Sequence, residues 1–177
     1  MNWPHVHLIL NHIPVIGVPA GLLLLAWGVI RKSEEVKKAS LITLAVAAAS
    51  ALPVYFAGTR AEEIGEHLPG VSEALIDTHS SAAGPALTAS LILGALALAG
   101  FVFLRRAPVL PKWFVVAVLA MSLAVSGLLV RAANLGGEIR HTEIRSDSQA
   151  GAGEDEGEVE KGRGRGRGGR GDERGEH

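Results

Sequence analysis

The sequence predicts an all-α integral membrane protein, a bundle of four transmembrane helices running up-down-up-down, with a short helical connection on the outer side and a disordered tail. Three observations carry that reading. Residues 8–30, 41–57, 82–104 and 113–133 form four apolar stretches, each near the ~20 residues that cross a bilayer as a helix. The first and second stretches, and the third and fourth, are joined by short connections, which pack neighbouring helices antiparallel. Seven of the ten Lys and Arg before residue 145 lie in those two connections. Four consecutive helices with so few charges would leave a soluble protein no polar outer layer.

The first stretch has no basic leader, carries Pro14 and Pro19 and lacks a small-residue cleavage site, so it is expected to be a retained helix rather than a signal peptide. Pro4 suits the first turn of that helix. Arg31, Lys32, Lys37 and Lys38 follow it, and Arg105, Arg106 and Lys112 precede the fourth stretch. By the positive-inside rule these two turns face the cytoplasm. Both termini and the long second connection then face outward, which in a bacterial inner membrane is the periplasm. That connection, about residues 58–81, reads as two short helices. The first covers residues 61–68 and is stopped by Pro69-Gly70; the second is capped by Ser72, begins with Glu73 and continues into the third span with a kink at Pro85. Gly136-Gly137 is expected to end the fourth helix and turn the chain over the bundle mouth. Residues 1–144 make the membrane domain; residues 145–177 carry acidic and Arg-Gly runs that cannot bury apolar area, so disorder is expected there.

There is no cysteine, so thiolate metal sites, iron–sulfur clusters and covalent c-type haem are excluded. Six of the seven histidines map to the outer side: His5, His7, His12, His67, His79 and His141. On a continuous helix His5 and His12 share a face, and His12 lies about two turns in, where a polar side chain points into the bundle. The first functional expectation is therefore haem b, ligated by His12 and His79 from different helices, with Arg60, Arg131 and Arg140 for the propionates. The role would be electron transfer between membrane quinol and a periplasmic redox protein, as a carrier or a subunit of a larger membrane complex. No nucleophile, acid–base pair or nucleotide loop points to a stand-alone enzyme.

The second expectation is a non-haem iron, copper or zinc site drawing on His5, His7, His12, Glu63, His67, His79, Glu138 and His141. Carboxylate discriminates the two, since haem needs none. A structural or transport subunit without a cofactor is the third reading, although the spans offer no polar trail across the bilayer. Trp3, Trp27 and Trp113 suit interface anchors. The seven basic residues from Arg145 onward are offset by nine acids, which argues against nucleic acid as a partner.

The opening His5-Val6-His7-Leu8-Ile9-Leu10-Asn11-His12-Ile13-Pro14, the middle Pro69-Gly70-Val71-Ser72-Glu73-Ala74-Leu75-Ile76 with His79, and the close Gly136-Gly137-Glu138-Ile139-Arg140-His141 resemble a group of uncharacterised bacterial four-span membrane proteins. More distantly they resemble four-span domains of unknown function found near cytochrome modules. That resemblance implies a redox setting and assigns no residue.

Overall fold

The computed structural model describes residues 2–65 and 71–145. His67, the Pro69-Gly70 stop, and the tail from Ser146, with His177, lie outside the described residues.

The described chain is all-helical: α1 (Trp3–Leu10), α2 (His12–Ile30), α3 (Glu34–Gly65), α4 (Glu73–Leu104), α5 (Lys112–Glu138) and a 3-10 turn (Thr142–Ile144). Together α1 and α2 make the first of four rods long and apolar enough to cross a membrane; α3, α4 and α5 are the others. The rods form a ring in which each packs on its sequence neighbours and the first closes on the fourth. One end holds the start of α1 and α4 and the end of α3 and α5. The other end holds the two tight turns.

Local chemistry explains the boundaries. Asn2 caps α1 by accepting from the His5 N–H, and Pro4 sits in the first turn. The helix hesitates at Asn11 because Pro14 has no N–H to offer the Leu10 carbonyl, yet Asn11 keeps helical dihedrals and the rod runs on. At the far end, Lys32 adopts φ 51°, Ser33 N–H donates to the Gly28 carbonyl and Lys32 N–H to the Val29 carbonyl. This is a Schellman stop, here made with lysine rather than glycine. Pro19, Pro53 and Pro85 all lie inside continuous helices.

The long connection differs from expectation in its helices. Residues 61–65 do not form a separate helix but are the last turn of α3. Ser72 does precede α4, which runs unbroken into the third span, but its side chain makes no capping bond. Gly136-Gly137 does not end α5, which continues to Glu138. There Arg145 takes over the stop, donating from Nε to the Glu138 carbonyl (2.8 Å) and from Nη2 to the Ile139 carbonyl (3.1 Å).

Down the axis runs a core of Val18, Leu25, Leu41, Leu44, Leu93, Val118 and Val125. Three fully buried serines, Ser40, Ser90 and Ser122, return their hydroxyls to carbonyls of their own helices at 2.7 Å, so each spends its polarity locally and lets a neighbouring helix come close. The outer surface is the reverse of a soluble protein's: Leu23, Ile30, Val116 and Leu123 are among many large apolar side chains left exposed. Such a continuous apolar belt suits lipid as its solvent.

Candidate functional site: a histidine pair in the mouth of the bundle

At the end that holds both starts and both finishes, the four helices part around a cleft of about 680 Å³ of empty space, counting the portion open to the outside. The space stays unfilled because the walls are built from small residues, among them Ala51, Gly58, Ala83, Ala86, Ala132 and Ala133.

His7 of α1 and His79 of α4 enter the cleft from diagonally opposed helices. Their ring centroids are 6.3 Å apart and the ring planes are nearly perpendicular, at 86°. Each ring is tied down in the same way. His7 Nδ1 lies 3.0 Å from the Val54 carbonyl of α3, and His79 Nδ1 lies 2.9 Å from the Ala132 carbonyl of α5. A carbonyl oxygen only accepts, so Nδ1 carries the hydrogen in both rings, and a neutral ring then has its lone pair on Nε2. Histidines that bind metals are oriented in this manner by a hydrogen bond from the other nitrogen.

A shared ligand atom needs both Nε2 atoms turned toward one point, which the 6.3 Å separation of the rings permits. With metal–imidazole bonds of about 2.0–2.1 Å, and a ring centroid about 1.2 Å behind its nitrogen, two imidazoles on opposite sides of one metal have centroids about 6.4 Å apart. Polar groups elsewhere on the lining are Asn11, Tyr55, Thr59, Glu62 and Ser80.

The expected site residues divide clearly. The structure brings His7, not His12, to His79. His12 is exposed, and its Nδ1 is 2.7 Å from the Leu8 carbonyl one turn back in its own rod. Five helical residues turn a side chain by about 140°, so His7 and His12 cannot both face the cleft. His5 and Glu63 are exposed and outside the cleft lining. Arg60, Arg131 and Arg140 are also exposed and absent from that lining, so they would serve only a ligand edge that emerges from the mouth. Glu138 is buried and accepts from Asn134 Nδ2 at 2.7 Å. His141 pairs with Glu143 at 2.8 Å on the exposed 3-10 turn, where the Glu143 backbone N–H first and the His141 contact second hold the Glu143 carboxyl below its ordinary range. Among the described residues, no three His, Asp or Glu side chains gather closely enough to hold a metal ion.

The clamping carbonyls and Gly58 were not legible as site groups. A usable signal was present in the i,i+4 pair His7 and Asn11, which share a face and both line the cleft. No protein-family model, curated protein or solved structure matches the chain.

Proposed function

We propose that the protein is a membrane electron carrier, or the carrier subunit of a larger assembly, that holds haem b between His7 and His79. The observation that carries this reading is the pair itself: two rings on diagonal helices, each with Nδ1 committed to a carbonyl and Nε2 left as the ligand nitrogen. Two protein ligands are too few for the usual three- or four-ligand zinc or iron site, and among the described residues no group of three His, Asp or Glu forms around them. Haem needs only two, because the macrocycle supplies the other four. The cleft walls are largely apolar and built from small residues, the kind of lining a flat apolar ring packs against.

When bound, haem would supply one-electron chemistry at a potential set by its axial ligands and their surroundings. The chain's own residues do the rest. The Val54 and Ala132 carbonyls fix the tautomers and make the imidazoles more basic, while the bundle holds the rings against rotation. With the positive turns toward the cytoplasm, the cleft opens on the periplasmic side of a bacterial inner membrane, where electrons from quinol would pass to a soluble partner.

The reading is tested by an oxidised-minus-reduced visible spectrum of the detergent-purified protein together with its metal content. The expected result is a sharp reduced α-band with one iron per chain. Copper without a porphyrin band would instead support a two-coordinate metal on the same histidines, and neither iron nor copper would end both readings.

A further inference from the structure

The tie on His7 and the tie on His79 are related by one shift for the first helix of each hairpin and another for the second. His7 corresponds to His79, 72 positions on, and Val54 to Ala132, 78 positions on. The second shift also carries Gly58 onto Gly136, the glycines against which the rings lie. A Cβ built on Gly58 would stand 3.0 Å from His7 Cε1, and one on Gly136 would stand 3.0 Å from His79 Cε1, with Nδ1 at 3.1 Å in both cases.

The correspondence extends far below the cleft. The buried residues of α2, Pro14, Val18, Gly21, Leu25 and Gly28, map by the first shift onto Ala86, Ser90, Leu93, Ala97 and Gly100, all buried in α4. By the second shift Ser40, Leu44, Ala47 and Ala51 of α3 map onto Val118, Ser122, Val125 and Leu129, all buried in α5. Even the approach at the turns repeats: Gly28 faces Val36, and Gly100 faces Phe114. Both hairpins run in the same direction, so the two halves form a parallel repeat about an axis along the bundle.

We infer that the chain is a tandem of one helical hairpin, that each half supplies an equivalent half-site on the shared axis, and that Gly58 and Gly136 are matched positioning residues for the two histidines. The physical reason is steric. Only a residue without a side chain lets the ring edge lie flat on the neighbouring helix, with Nδ1 over the carbonyl one turn earlier. Alanine at either glycine puts a Cβ 3.0 Å from the ring, so the ring must shift by a few tenths of an ångström and the bond that sets its tautomer is strained.

This rests on the proposed ligand role of the histidines for its meaning, but its first test needs no cofactor. Long-range proton–nitrogen NMR of the full-length, ¹⁵N-labelled protein in detergent, at a pH where both rings are neutral, reports which nitrogen bears the hydrogen. Both His7 and His79 are expected to carry it on Nδ1. Gly58→Ala should alter His7 and leave His79; Gly136→Ala should do the reverse. Gly84→Ala and Gly127→Ala, where an added Cβ meets nothing within 4 Å, should alter neither. Hydrogen on Nε2 in the wild-type rings, or unchanged rings in both clamp variants, would overturn the inference even if those variants fold poorly. If haem binds, each clamp variant should weaken it about tenfold and by similar factors. If haem does not bind, the functional reading falls, and the tautomer result stands or falls by itself.

Discussion

His7 and His12 are five positions apart in one rod, and that interval decides which of them meets His79. His12 attracted the sequence reading by its depth in the first helix. Depth alone does not give direction, because an imidazole can satisfy itself on a carbonyl of its own helix, as His12 does with Leu8. His79 was legible as a site residue since it stands at the mouth of its span. Its partner could be chosen only by knowing which face of α1 turns inward, and α1 has no fully buried residue to show that pattern. At this scale the account predicts that the ferric form of a haem-loaded protein gives a strongly anisotropic low-spin EPR signal, because ring planes at 86° leave the two iron π orbitals nearly equal in energy. A rhombic signal of the kind given by parallel rings would mean that the rings reorient on binding.

The helices themselves were the most legible elements, since apolar length is enough to place a span. Their ends were less so. The sequence read Gly136-Gly137 as a stop from its composition, but those residues remain helical and Gly136 serves the His79 contact instead. The real stop is made by Arg145, whose guanidinium reaches back to two carbonyls from outside the expected boundary of the domain. Arg145→Ala should therefore speed hydrogen exchange in the last turn of α5, with a cost of roughly 1 kcal/mol, and leave the other helices unchanged. At the opposite end, Lys32 holds φ 51° without a glycine's freedom. Lys32→Gly should raise the thermal midpoint in detergent, corresponding to about 1 kcal/mol, and an unchanged or lower midpoint would mean that the lysine charge matters more than its backbone strain.

At the scale of the whole molecule the two hairpins with short basic turns suggest a weak internal repeat in the sequence, but an insertion hides its register. The second hairpin carries six more residues at its turn, two in the helix (α4 against α2) and four in the connection, so no single offset aligns the halves. Few residue identities survive, and what persists is burial and contact geometry, which a sequence does not print. The halves differ chemically where Asn11 and Tyr55 on one side of the cleft correspond to Ala83 and Ala133 on the other. A ligand with one polar edge is thereby given a preferred orientation. Asn11→Ala combined with Tyr55→Phe should weaken haem binding roughly thirtyfold, from ~1 kcal/mol for each lost hydrogen bond, without moving either histidine tautomer.

The central claim is that His7 and His79 together form the ligand site, and haem titration into the purified protein and its single-histidine variants tests it most directly. The account predicts stoichiometric binding with a six-coordinate low-spin spectrum for wild type and for His12→Ala. It predicts loss of that spectrum in both His7→Ala and His79→Ala. Retention of the wild-type spectrum in His7→Ala, or its loss in His12→Ala, would contradict it.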